Sequence, residues 1–341
     1  MHIIRVRNVN AALPAGLKLL AERGREQDSR VGRVRSLPEP CTTVYERPEE
    51  RVLFWPARDA NPFFHLFEAL WMLGGRNDLA FPKRFNKRFD AYSDDGVTVH
   101  GAYGHRWRSH FGLDQVEGVV NLLGREPTSR RAVIAMWDPA ADLGRVSRDL
   151  PCNTTLYPRV REGCLDLTVL CRSNDIIWGA YGANAVHMSM LQEYLAGRLG
   201  VEVGCLYQVS NDYHAYLDVF EPLRRALEEE PGSHLWHDAY ELGTAYPFKL
   251  LQNGEDWRDW HQDLSLFLDS PHAYGFNTAF FRQVVMPLFA AWRGHEVRDY
   301  TAALANAERC AATDWRLAAT GWLERRAVRA RLKDQPQGSL V

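Results

Sequence analysis

Near the middle of the chain, Cys164-Leu165-Asp166-Leu167-Thr168-Val169-Leu170-Cys171 alternates so that Leu165, Leu167 and Val169 share one face. A period of two over that length predicts a strand with one side buried. Strand signals at about 155–161 and 203–209 flank it. A helix over about 184–199, carrying Val186, Met190, Leu191, Tyr194 and Leu195, intervenes. Strands and helices that alternate irregularly suit an α+β layer architecture, in which helices cover a sheet.

The remaining signals are placed around this centre. Asn61-Pro62 opens a helix with a side-chain cap and an early proline, and Gly74-Gly75 closes it. Asp28–Arg35 is polar and basic and reads as a loop leading into a strand, and residues 76–112 read as irregular and aromatic. A helix is expected over about 114–124, then a strand from Arg131 to Trp137. The last third, about 232–341, is rich in Trp, Arg and Ala and reads as helical, with a loose tail at Asp334–Gly338. With no internal repeat and no long linker, one domain over 1–341 is expected, residues 232–341 being its helical C-terminal extension.

Bulk properties exclude several classes. A length of 341 residues supports a sizeable core, and a net charge of −2 gives no overall field for nucleic acid. No apolar run approaches the roughly 20 residues of a membrane span. The start, Met1-His2-Ile3-Ile4-Arg5, lacks a signal-peptide layout. Six scattered cysteines (41, 152, 164, 171, 205, 310) form no CxxC pair, which argues against a zinc site and a disulfide scaffold. Reduced thiols, a cytoplasmic location and no metal are expected.

Chemistry concentrates around Leu150-Pro151-Cys152. Free cysteines are usually small buried hydrophobes, but Arg130, Arg131 and Arg172 could stabilise a thiolate here, the reactive form. Guanidinium forks with the Ser173 hydroxyl also match phosphate oxygens. Glu68 lies among aromatic residues on the helix after Pro62, where partial burial suits proton transfer. Taken alone, Cys152 and His214 would also fit a Cys-His hydrolase or acyltransferase, and the same residues could serve an inactive nucleotide-binding module.

The run Arg130-Arg131, Pro151-Cys152 and Arg172-Ser173-Asn174-Asp175, followed by Asp212-Tyr213-His214-Ala215-Tyr216, resembles the thymidylate synthase superfamily over about residues 50–220. The resemblance implies a mixed sheet flanked by helices and an obligate homodimer packed sheet to sheet. It also implies 5,10-methylenetetrahydrofolate as carbon donor and a pyrimidine nucleoside monophosphate as substrate. By resemblance, Cys152 attacks C6, Glu68 works through ordered water, and Tyr103 in Tyr103-Gly104-His105-Arg106-Trp107-Arg108 removes the C5 proton. Arg172 and Ser173 hold the 5′-phosphate, with Arg130 and Arg131 supplied by the second subunit and Arg30 from a mobile loop. Asn184 reads the base, His214 and Tyr216 bind the sugar, and Asp212 assists. Asp175, Phe89 and Tyr92 face the folate.

Departures bear on the product. Asn153 follows the nucleophile where ordinary synthases carry histidine, Phe89 replaces a tryptophan, and the closing residues Gln337–Val341 lack a Pro-Val-Ala-type tail. Gly179–Asn184 is one residue longer than the family's run. A wetter site favours hydroxymethylation over reductive methylation, on dUMP or on dCMP or CMP. The phosphate pattern favours a deoxyribonucleotide. Asn184 suits uracil, although a flipped amide would suit cytosine. His187 is expected to fill the core. Thymidylate synthesis is the alternative reading.

Overall fold

The structure is a computed structural model that describes residues 1–229 and 238–334. Residues 335–338 of the expected tail and the closing run Gln337–Val341 lie outside the described residues. The chain divides into two compact units, Met1–Leu53 with Phe64–His234, and Phe54–Phe63 with Leu235–Val341.

In chain order the first unit runs β1 (His2–Val6), α1 (Val9–Arg23), β2 (Arg25–Ser29), β3 (Gly32–Ser36) and β4 (Cys41–Tyr45). After α2 (Pro62–Leu73), whose first two residues belong to the second unit, come α3 (Ala80–Phe85), α4 (Tyr103–Arg108), α5 (Gln115–Arg125), β5 (Ile134–Ala135) and α6 (Pro139–Asp142). β6 (Asn153–Arg161), β7 (Cys164–Cys171), β8 (Asn174–Asp175), α7 (Asn184–Leu199), β9 (Glu202–Ser210), β10 (Tyr213–Tyr216) and α8 (Leu217–Glu229) complete it.

Six strands form a mixed sheet in the order β1-β4-β9-β7-β6-β5, and a four-stranded sheet runs β2-β3-β10-β8. β7 lies centrally, antiparallel to β6 and parallel to β9. Its Leu165, Leu167 and Val169 are fully buried, each stabilising the fold by about 1.5–3 kcal/mol. α7 covers this layer and is buried at every position from Asn184 to Ala196. Gly200, in the left-handed conformation at φ 68°, ends it.

Three expectations are corrected. Asp28–Arg35 is no loop. It falls within the hairpin β2–β3, which turns at Arg30-Val31 and pairs Ser29 with Gly32. Every β2 side chain is exposed, so no alternation marks it. The strand expected from Arg131 to Trp137 shrinks to Ile134–Ala135, because Met136 and Trp137 both turn their N–H groups onto the Thr154 carbonyl. The irregular span 76–112 contains α3 and α4.

α4 is anchored by a buried ion pair. The Arg106 guanidinium, fully buried, meets both oxygens of buried Asp142 at 2.8 and 3.0 Å and also reaches the Met136 carbonyl. Burial works against the Asp142 charge, yet Arg106, the Asp138 N–H and His100 together hold its carboxyl below the ordinary range.

The second unit contains α9 (Trp257–Asp269), α10 (Met286–Glu296), α11 (Tyr300–Glu308) and α12 (Thr313–Asp334). Its core is aromatic. Trp260 and Phe267 pack on Phe281, and Phe63 packs on Trp292 and Trp322. Asp59 pairs with Arg325, Arg326 and Arg329 on α12.

Arg106→Met should destabilise the first unit by about 3–5 kcal/mol in chemical denaturation, because Asp142 would be left as an unpaired buried charge. The sign of the pH effect follows from the depressed carboxyl. Its contribution is present above roughly pH 4 and lost as the pH falls through the lower folded value.

Candidate active site

Strand register sets the floor of the site. Asn153 on β6, Cys171 on β7 and Ser210 on β9 are direct partners across three adjacent strands. A bulge at Thr154 starts β6, the kind of irregularity that re-aims side chains near sites. Along this row runs a chain of polar contacts with one direction. The Cys171 thiol donates to Asn153 Oδ1 (2.7 Å), Asn153 Nδ2 to Asn184 Oδ1 (3.3 Å), Asn184 Nδ2 to Asn174 Oδ1 (3.2 Å), and Asn174 Nδ2 to Ser210 Oγ (3.0 Å). All five side chains are buried. Gly179 makes the amide approach possible, since a Cβ there would lie 2.9 Å from Asn174 Oδ1 and 3.1 Å from Asn184 Nδ2.

The extra residue between Gly179 and Asn184 is taken up locally. Ile176–Ala183 is wound as a π-helix with non-helical backbone at Tyr181 and Gly182, the usual way a helix absorbs one more residue. Asp175 caps it, its Oδ1 accepting from the N–H groups of Ile177 and Trp178. Asn184 therefore arrives at the start of α7 facing Asn153.

Above this floor sits Cys152, half-buried, immediately before β6. Arg172, the residue after β7, clamps its loop. Nε donates to the Pro151 carbonyl at 2.9 Å and Nη2 to the Leu150 carbonyl at 3.0 Å, with the Cys152 Sγ 3.9 Å from Nη2. Trp137 supports the guanidinium from 5.6 Å. Burial pushes the Cys152 thiol up, Arg172 and Arg30 pull it back, and Asp149 and Asp175 push the same way as burial. Arg30 reaches in from the β2–β3 turn and donates to the Ser147 carbonyl at 2.9 Å.

Other expected residues converge on the same cluster. Burial raises the Tyr103 phenol well above its ordinary value, with Cys152 and Asp149 adding to the effect. The fields of Asp175 and Cys152 also act on Tyr216. His214 stacks edge-on against Tyr216 at 5.7 Å, and its Nδ1 lies 3.6 Å from Asp212. Burial lowers the His214 imidazole, but Asp212 and Asp175 outweigh it and hold it above the ordinary value. Asp212 accepts from Ser36 Oγ at 2.6 Å. Ser173 is half-buried beside Arg172. Tyr92 is 48% exposed and feels Glu68, Asp149 and Asp175, whereas Phe89 is buried edge-on against Phe64 and Trp71.

Arg130 and Arg131 do not join this cluster. Both are exposed, and Arg131 pairs with Glu126 at 2.7 Å. Glu68 does join it, with a partner that no sequence signal marked. His187, 2% exposed, brings Nε2 to 3.0 Å from Glu68 Oε2, without the angle of a hydrogen bond. His187 thus fills the core as expected, but against the glutamate. Asn174 and Asp149 were also missed; Asp149, three residues before Cys152, was near enough in sequence to notice. A cavity of about 160 Å³ beside Asp94, His100, His105 and His110 does not include Cys152.

A cysteine clamped by arginine, over an amide-lined floor and beside a buried glutamate and a tyrosine, is equipped for nucleophilic addition with proton transfer. Residues 57–241, more than half of the chain, match the thymidylate synthase family, and the chain belongs to that family. It is an enzyme of the one-carbon transferase class. Over 334 residues it is 49% identical to the deoxyuridylate hydroxymethyltransferase of Pseudomonas phage M6, covering 96% of this chain and 95% of that protein. The deoxyuridylate hydroxymethyltransferase of Bacillus phage SP01 is 39% identical over 190 residues, 52% of this chain and 50% of that one. The crystal structure of thymidylate synthase from T4 phage shares the fold, with a TM-score of 0.53 and 22% identity over 64% of this chain and 81% of that chain.

Because Arg172 opposes the effect of burial on Cys152, Arg172→Ala should move the pH profile of Cys152 alkylation upward. Iodoacetamide labelling at pH 7, followed by peptide mass spectrometry, should be slower than in the unsubstituted protein.

Proposed function

We propose that the chain transfers a hydroxymethyl group to C5 of dUMP, with 5,10-methylenetetrahydrofolate as carbon donor. The observation that carries this reading is the 49% identity, along 96% of the chain, to a phage deoxyuridylate hydroxymethyltransferase.

The site supports the chemistry residue by residue. Arg172, Ser173 and Arg30 would hold the 5′-phosphate, and His214 and Tyr216 the sugar hydroxyl, with Asp212 orienting His214. The Cys152 thiolate adds to C6, and the electron pair of the C5–C6 double bond makes C5 nucleophilic. Bound against Asp175, Tyr92 and Phe89, the folate supplies a carbon at the oxidation level of formaldehyde. Half-exposed Tyr92 beside the Asp175 carboxylate suits an aromatic, hydrogen-bonding pterin. Tyr103 relays the C5 proton, its phenol passing its own proton to ordered water as it accepts, and Glu68, held against His187, positions water near O4.

The amide chain, in the direction its contacts take, presents Asn184 in a state that suits uracil. Uracil offers N3–H and O4, which need one acceptor and one donor from Asn184. Asn184 can be flipped to suit cytosine only if Asn153 and Asn174 flip with it, since each of their contacts has a donor facing an acceptor. Asn153 thus serves base choice in the position where ordinary synthases carry histidine.

The exposure of Arg130 and Arg131 supports a homodimer in which each chain lends this pair to its partner's phosphate site. A cytoplasmic site of action fits such soluble substrates. No described helix is long and apolar enough to cross a membrane.

Mass spectrometry of the product from dUMP and methylenetetrahydrofolate tests the reading. A product heavier than dUMP by CH2O, with no dihydrofolate, is expected; a methyl product with stoichiometric dihydrofolate would overturn it. In the same assay Asn184→Asp should shift preference from dUMP toward dCMP by about a hundredfold in the ratio of kcat/KM values.

Shared sites predict complementation. Cys152→Ala and the double variant Arg130→Ala/Arg131→Ala should each be nearly inactive. Subunits exchanged between them should recover about a quarter of full activity, since half the dimers are mixed and each holds one intact site. No recovery would mean that each chain completes its own site.

A further inference from the structure

The roles assigned above leave one group in the cluster without a task. Asp149 lies three residues before Cys152 in a loop braced at two points. Ser147 Oγ accepts from the Asp149 N–H at 3.2 Å and donates to Asp94 at 2.7 Å, while Arg30 holds the Ser147 carbonyl. Asp149 Oδ2 accepts from the Gly101 N–H at 2.8 Å. A Cβ on Gly101 would come within 2.7–3.1 Å of the carboxylate, so this approach requires glycine there. The contact ties the nucleophile's loop to the turn that delivers Tyr103, two residues after Gly101.

Asp149 therefore faces inward. Its charge acts on Cys152, Tyr103 and Tyr92, and Glu68 acts on it in turn. As a residue it is half-buried, with burial the main influence on its carboxyl. Among the described residues no cation pairs with it directly; Arg106, committed to Asp142, acts only at a distance. Asp149 keeps a single backbone hydrogen bond and a place beside the nucleophile.

We propose that Asp149 is the carboxylate that takes a proton from the water completing hydroxymethylation, and so decides that water rather than hydride ends the reaction. The proposal rests on the hydroxymethylation reading above. After C5 has lost its hydrogen and its carbon has left the folate, the nucleotide carries a methylene group doubly bonded to C5 and conjugated to the C4 carbonyl. The water oxygen bonds to that methylene carbon, and one O–H bond breaks with its proton passing to Asp149. The C5–methylene electron pair moves into the C4–O4 enolate. The enolate re-forms the C5–C6 double bond as the C6–S bond breaks, and Cys152 leaves as a thiolate that receives the proton back. Nothing is oxidised or reduced. Burial, helped by Glu68 and Asp94 and opposed by the Gly101 N–H and Arg106, pushes the Asp149 carboxyl up to about 6. That value suits a base that must both take and return a proton near neutrality.

The test separates early steps from late ones. Asp149→Asn should form the covalent complex with 5-fluoro-dUMP and methylenetetrahydrofolate, and should release tritium from C5-labelled dUMP. Its hydroxymethyl product per tritium released should fall by about a hundredfold. Added 2-mercaptoethanol should capture the waiting methylene as a thioether, seen by mass spectrometry. Should Asp149→Asn lose the covalent complex, Asp149→Ser carries the same comparison. Equal losses of tritium release and product, or no loss of either, would overturn the assignment. A methyl product from the unsubstituted enzyme would instead overturn the activity itself, so the two failures are told apart.

Discussion

The register of β6, β7 and β9 is the constraint from which the site follows. One row across these strands contains Asn153, Cys171 and Ser210, and the residues just outside it are Cys152 and Arg172. A one-residue slip would turn Asn153 to the other face of the sheet and break the amide chain. Leu165, Leu167 and Val169, buried under α7, oppose any one-residue slip, which would turn the apolar face outward. Core packing and the polar floor are thus set by the same alternation, and the Arg172 clamp on residues 150–152 comes with it, because the Arg172 N–H donates to the Cys152 carbonyl at 2.9 Å.

That dependence explains what could be read from the sequence. β7 and α7 match their expected bounds, β7 through its strict alternation and α7 through a long, largely apolar run closed by Gly200. The hairpin β2–β3 escaped notice because exposed Arg25–Ser29 carries no period. The strand after Arg131 was over-read because Val133, apolar but 42% exposed, looked like part of a buried run. Cys152, Arg172, Asp175, Asn184 and His214, which the family resemblance points to within one stretch of chain, are brought into one cluster. Residues whose significance lies in a distant contact were not legible in the sequence. His187 means little until Glu68, on α2, is found 3.0 Å away, and Asp149 means little until Gly101 and Tyr103 stand beside it.

The second unit separates family from branch. The family match ends at residue 241, so α9–α12 lie beyond it. An alignment covering 96% of the chain must nevertheless include nearly all of those helices. They belong to what this chain shares with the Pseudomonas phage M6 protein. Their construction is self-sufficient, with an aromatic core and with Asp263 accepting from the N–H groups of Asn277 and Thr278. A shared addition of this size is a stronger mark of branch than the few site residues that depart from ordinary synthases.

Those departures still have a common physical sense. Asn153, where ordinary synthases carry histidine, extends a neutral amide chain across the floor of the site and puts no titrating group there. The carboxyl groups act elsewhere in the cluster, Glu68 on Asp149 and Asp149 on the Tyr103 phenol. Burial and the neighbouring Glu68 charge raise the proton affinity of Asp149, a setting in which a proton can be stored and returned. A site that excluded water would gain nothing from such a store, because hydride transfer needs no base beside the accepting carbon. A half-buried carboxylate next to the nucleophile is of use where water is the reactant, and it is the feature that connects the polar floor, the arginine clamp and the proposed product.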